Sequence, residues 1–240
     1  MLTETIEELR TIALAADDAA GHFPAMYARV TERVQIGAAS GRFEDAARME
    51  RFAEAFAAWY VRPRSGRGPV PACWRAAFDV ADDSHLMIVQ HLLLGINAHV
   101  NHDLPQVVVE LAPEGGDLTA LRVDYDAVND ILAETLPEVL RSLGTVSRWV
   151  NVLGARGGER AFDFSLGVAR RRAWSTAQRL RQLPPAERSA HVAELDRLVA
   201  VLAYLVSKPS RPMSWAVALG RRLEEHDPPA VTRSLLGHLA

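Results

Sequence analysis

The chain has 240 residues, 49% hydrophobic and 24% charged, which leaves ample material for a core and excludes a largely disordered polypeptide. Its 27 basic residues are offset by 30 acidic ones, for a net charge of -3, and no basic run exceeds Arg170, Arg171 and Arg172, so no nucleic-acid footprint is present. The one cysteine, Cys73, excludes an internal disulfide framework and a thiolate-cluster zinc site.

Apolar residues recur at spacings of three and four along almost the whole chain, and no stretch alternates for long, so the period predicts an all-α fold. The start, MLTETIEELR, is acidic and amphipathic rather than signal-like, and it predicts a helix over 3–16 carrying Ile6, Leu9, Ile12 and Leu14. A second helix is expected from Pro24 through Tyr27, Val30 and Val34, punctuated by Gly37 and Gly41. Residues 43–61 then place Met49, Phe52, Phe56 and Tyr60 on one stripe, and 62–71 reads as a Gly/Pro/Arg loop. A short helix around 74–80 follows. Asp82, Asp83 and Ser84 read as the cap of a long apolar helix over 85–104, which Pro105 should kink or end. Its most apolar part, 86–100, contains polar residues and falls short of the ~20 residues of a membrane span, so a cytoplasmic protein without a membrane partner is expected. Asp117 is read as the cap of a helix through Leu121, Tyr125, Val128, Ile131 and Leu132, and GARGG at 154–158 as the most flexible loop. Helices over 160–183 and 186–206 flank Pro184 and Pro185, and two shorter ones over 213–225 and 229–239 close the chain. With no repeat and no long linker, one domain is expected: a multi-helix bundle around a central, polar-striped apolar helix.

That central helix, QHLLLGINAHVNHDLP, is where residue types conflict with simple core packing. At about 100° per residue, His91, His102, His99 and Asp103 fall on one side, while Asn97 and Asn101 point elsewhere. Imidazoles and a carboxylate among leucines need a hydrogen-bond network, a metal ion or a ligand. His99 and Asp103, four apart, have chelating spacing suited to zinc or to a non-haem iron or manganese ion, with His102 on the neighbouring ridge. His91 lies a rise of ~12 Å before His99, so it serves a second ion, the substrate or a hydrogen bond unless Gly95 permits a distortion. Completing ligands would come from His22, Glu50, Glu54, Asp79, Asp83, Asp124, Asp126 or Asp163.

MYARVTERV, MERFAEAFAAWY, QHLLLGINAHVNHDL, VDYDAVNDIL and ARRRAW together resemble a bacterial, largely actinobacterial family of unknown function. The resemblance spans most of the chain and implies His91, Asn97, His99, Asn101 and Asp103 as typical residues, with His102 usually replaced by an apolar or aromatic one, and it draws attention to Asp124 with Asn129. Locally, LGINAHVNHDLP is similar to a zinc-ligand helix of zinc-dependent phospholipase C and the P1-type nucleases, which implies His99 and Asp103 as ligands. No His here is followed by Glu at the fourth position and the chain starts MLTE, so their full trinuclear cluster is not expected.

Three functions follow as expectations. The first is a metal-dependent enzyme, a hydrolase of a small ester or phosphoester, with His99, Asp103 and His91 as ligands and His91, Asn97 and Asn101 in catalytic or orienting roles. The second is a metal-free cyclase or isomerase in which His91, His99 and Asp103 do acid–base work on an apolar small molecule. The third is a non-catalytic helical binding protein. Arg170 to Arg172 with Trp174 form an anion-binding candidate, and Trp59, Trp149 and Trp215 are candidates for a homodimer contact. Ser165 lacks the glycine of a nucleophile elbow, so serine hydrolase chemistry is not expected.

Overall fold

The three-and-four spacing is realised as helix. A computed structural model describes residues 2–112, 118–154, 158–208 and 211–237, without the side chains of 152–154, 158–164 and 211–214. In chain order the helices are α1 (Leu2–Leu14), α2 (His22–Ala39), α3 (Ala46–Arg64), α4 (Ala72–Phe78), α5 (Ile88–Ala98), α6 (Leu104–Leu111), α7 (Thr119–Val146), α8 (Arg148–Gly154), α9 (Gly158–Gln182), α10 (Pro185–Ser207), α11 (Arg211–Arg221) and α12 (Pro228–Leu235). A short 3-10 turn, Ala19–Gly21, leads into α2, and a π-helical turn, His99–Asp103, joins α5 to α6. The fold is all-α. Among the described residues no helix is long and apolar enough to cross a membrane. The expected cap at Asp117 and most of the GARGG loop lie outside the described residues.

Local chemistry explains several helix starts. The carboxylates of Asp18, Asp45 and Asp227 accept the N–H groups of Ala20, Arg48 and Ala230, satisfying donors that have no partner within the helix. The central helix begins differently from the sequence reading. Asp82 to Ser84 belong to the turns before it, and α5 starts at Ile88, whose N–H is accepted by the buried Glu224 carboxylate at 3.0 Å. Gln90 completes the cap by accepting the Met87 N–H at 3.0 Å, and Ser147 holds Glu224 from the other side at 2.8 Å. A cap contributed from far along the chain has no local sequence signal.

Of the kink or end expected at Pro105, the helix does not end there but is locally distorted. Pro105 occupies the first turn of α6, and the missing proline N–H is accommodated upstream by a widened turn in which the Leu104 N–H reaches back five residues to His99 O. The helical path therefore runs from Ile88 to Leu111 with one loosened turn at its centre.

Two large apolar clusters pack around this path. One gathers Phe23, Tyr27, Tyr60, Trp74, Leu92 and Ala98, and the other Phe52, Val100, Leu104, Val107, Tyr125 and Trp174, while Phe56 and Ile96 pack against both. Helix α10 covers α4 and α5 with a narrow buried face and leaves Leu198, Val201, Leu202 and Leu205 exposed, and Trp215 on α11 is 77% exposed. Trp59 and Trp149 are half-buried.

Gly95 is where α5 meets α2 most closely: a Cβ there would lie 2.5 Å from the Phe23 ring. Gly95→Ala is expected to cost about 1–3 kcal/mol, read as a lowered urea midpoint, with Phe23→Leu in the same chain recovering part of the loss. An unchanged midpoint would show that α5 does not depend on this approach.

Candidate functional site

The π-helical turn carries the polar residues that sequence reasoning singled out, and its organising group is the Asp103 carboxylate. Asp103 is fully buried. Its Oδ2 accepts the Trp74 Nε1–H at 2.9 Å and lies 3.1 Å from His99 Nδ1, while its Oδ1 lies 2.7 Å from His102 Nδ1. Burial alone would push this carboxyl up, but the hydrogen bonds from His102 and His99 outweigh it and hold it below its ordinary value. Asp103 is therefore an ionised acceptor, and with both imidazoles presenting Nδ1–H to it, Nε2 is the acceptor nitrogen of each ring; that of His102 lies 3.3 Å from the Gln106 amide nitrogen.

The two rings point that lone pair into different surroundings. His99 sits in an aromatic box. Its ring stacks on Phe56 at 3.6 Å between centroids and 8° between planes, with Tyr27 edge-on at 4.6 Å and Phe23 at 5.6 Å. Burial lowers its pKa despite Asp103, so the ring is neutral, and its buried Nε2 has no hydrogen-bond partner. An orphaned acceptor in an apolar interior carries a real desolvation cost. His99 also lines a cavity of about 270 Å³, walled mainly by apolar residues such as Tyr27, Phe52, Phe56, Leu92 and Ile96. That size is near the lower end of small-molecule sites.

His102, which helix spacing put on the ridge beside His99 and Asp103, faces another group. A ring nitrogen of His102, the Cys73 sulfur at the start of α4 and an Asp196 oxygen on α10 lie within 4.8 Å of one another. Cys73 and His102 are buried and Asp196 is half-buried. The Asp196 carboxylate accepts the N–H groups of Ala72 at 2.8 Å and Cys73 at 2.9 Å. Burial, reinforced by Asp196, pushes the Cys73 thiol well above its ordinary range. Nothing in the spacing of Cys73, His102 and Asp196 announced this meeting, because three separate elements supply one residue each.

The remaining sequence candidates fall elsewhere. His91 does not join His99 and Asp103 as a ligand set; its ring lies edge-on to His22 at 5.9 Å. Asn97 donates to Val199 O at 2.9 Å and accepts from Asn101 at 3.0 Å, so this pair ties the central helix to α10. Asp124 braces the entry to α3, accepting from Glu44 N at 2.7 Å, Asp45 N at 3.2 Å and the Arg48 guanidinium at 2.5 Å. Asp126 pairs with Arg122 at 2.5 Å, and Asp83 bonds the His85 N–H at 2.9 Å. Glu50 and Asp79 are exposed, Glu54 is half-buried, and the Asp163 side chain lies outside the described residues. Arg170 is buried, bonded to Asn129 and the Tyr125 carbonyl, while Arg171 and Arg172 are exposed.

With this geometry in view, the comparison with known proteins adds one fact. Residues 2–209 match the model of a family described as "Family of unknown function (DUF5995)", and the chain belongs to that family. Neither curated proteins nor solved structures match the chain.

The pair of buried His22 and half-buried His91 generates a pH prediction. Burial takes His22 from its ordinary 6.5 down to about 3, with His91 adding to the shift, and takes His91 down to about 4. Below pH ~6.5 the unfolded chain protonates these rings while the folded chain does not, so their stability contribution is full above that pH and declines as pH falls towards the folded values. The loss is up to about 1.4 kcal/mol per pH unit for His22 and less for the partly exposed His91. Urea denaturation at neutral pH and at about pH 5 is expected to show it, and His22→Phe to diminish it. An identical pH slope in the variant would assign the acid sensitivity to other groups.

Proposed function

We propose that the protein is an acid–base enzyme, of the isomerase or cyclase type, acting on an apolar small molecule held in the cavity beside His99. The observation that carries this reading is the unpartnered His99 Nε2, buried at an apolar cavity with its other nitrogen bonded to an ionised carboxylate. Asp103 selects the tautomer with the proton on Nδ1, so Nε2 is the basic nitrogen, and it stabilises the imidazolium formed when His99 takes a proton from the substrate. Phe56, Tyr27 and Phe23 exclude water, which keeps the neutral ring and any carbanion-like intermediate away from competing protonation. The substrate class follows from the walls: hydrocarbon over most of its surface, with one polar or acidified position able to reach His99.

A hydrolase with His99 and Asp103 as metal ligands draws less support, since Asp103 already spends both oxygens on Trp74, His99 and His102. Asn97 and Asn101 support the reading as braces of the turn rather than as reacting groups.

The test uses a bulky apolar ketone, decalone, offered to the protein in D2O. Binding is followed by calorimetry and exchange at the carbon next to the carbonyl by NMR. Wild type is expected to bind and to exchange at least about 100-fold faster than His99→Gln, the usual scale for losing a general base. Binding without faster exchange would overturn the catalytic reading and leave a carrier, and absence of binding would overturn the cavity assignment as well.

A further inference from the structure

The second arm of Asp103 ends in a set of side chains that the acid–base reading does not use. Cys73, His102 and Asp196 come from α4, the π-helical turn and α10, and present one sulfur, one nitrogen and one oxygen within 4.8 Å of one another. We propose that Cys73, His102 and Asp196 form a zinc site, with the fourth position filled from solvent on the Asp196 side.

The cluster has the supporting shell that metal sites require. A ligating histidine needs its second ring nitrogen held, and His102 Nδ1 is bonded to the buried Asp103 carboxylate at 2.7 Å, which fixes the ring and leaves Nε2 as the coordinating nitrogen once the ion displaces the Gln106 amide, 3.3 Å away. A ligating carboxylate also needs to be oriented, and Asp196 accepts the N–H groups of Ala72 and Cys73 at the start of α4. Those bonds hold Asp196 directly beside the Cys73 sulfur. The Trp74 indole, next in sequence to Cys73, donates to the Asp103 carboxylate that also holds His102, so α4 is tied to the π-helical turn on one side of the cluster and to α10 through Asp196 on the other.

The donor set selects the ion. One thiolate, one imidazole and one carboxylate match borderline-soft zinc, whereas calcium and magnesium take oxygen ligands. Coordination converts Cys–SH and Zn²⁺ to a Cys–S–Zn unit with release of the thiol proton, so no oxidant or reductant is involved. The cation also removes the repulsion that a Cys73 thiolate would otherwise meet from Asp196. With Cys73 and His102 buried and Asp196 half-buried, the site is closed on the core side and open at Asp196.

The experiment is titration of the metal-free full chain with Co²⁺, followed by displacement with Zn²⁺. Wild type is expected to bind one Co²⁺, with a near-ultraviolet thiolate charge-transfer band and intense visible bands of tetrahedral cobalt, and to lose both on adding zinc. Cys73→Ser removes the charge-transfer band. Asp196→Asn retains an oxygen able to accept the α4 N–H groups and so remains folded by circular dichroism, yet weakens cobalt binding by at least about 10–100-fold. His85→Gln, on an exposed turn, leaves binding unchanged. A folded wild type that takes up neither ion at micromolar concentration, or cobalt bands that persist unchanged in both Cys73→Ser and Asp196→Asn, would overturn the site.

Discussion

A buried carboxylate cannot stand alone in a hydrocarbon core, and the arrangement around Asp103 is the consequence of satisfying one. Desolvation disfavours the charge, and the charge persists because Trp74, His99 and His102 direct N–H groups at it from the start of α4 and from its own helical turn. Each donor is committed in turn. Trp74 cannot leave without costing the carboxylate a donor, and the two imidazoles cannot flip without turning a ring carbon against it. The tautomers, ring orientations and relative placement of α4 and the central helix are one solution to a single electrostatic problem.

That solution separates two kinds of chemistry by the width of one carboxylate. His99 is turned into aromatic walls and an apolar cavity, where a neutral imidazole is the stable form. His102 is turned towards a sulfur and an oxygen, near the edge of the core. Residues only three apart thus reach different neighbours, the first facing α2 and α3 and the second facing α4 and α10. The asparagines on the other side of the helix, Asn97 and Asn101, hold it to α10 through the Val199 carbonyl, so the turn is braced from both directions.

Much of this was legible in the chain and part of it was not, for physical reasons. Helical period is a local property, so α1, α3 and the pair α9 and α10 lie close to where apolar spacing and the prolines put them. His99 and Asp103 stood out because polar groups four apart inside a leucine-rich segment must be satisfied by each other or by something else. Boundaries that depend on distant groups were invisible: the start of α5 is set by Glu224, and the loop before α3 by Asp124. The same limitation hid Trp74, Phe56 and Cys73 from the site. The cysteine's partners, His102 and Asp196, lie in other elements, and only folding makes them neighbours. Of the two outcomes expected at Pro105, a kink or an end, the helix shows no end but a local irregularity, because a missing N–H can be absorbed by widening the turn before it.

That widened turn also constrains the length of the chain. A π-helical turn holds one residue more than an α-helix needs to advance by the same amount. Removing any single residue of His99–Asp103 would let the ladder close as ordinary α-helix with the helical turns on either side kept close to their present register. Leu104, Val107 and Val108, all fully buried, would keep facing the core, while the spacing that brings His99 and His102 to Asp103 would be lost. The length of this turn is therefore held by the polar groups it carries more than by the packing of α6.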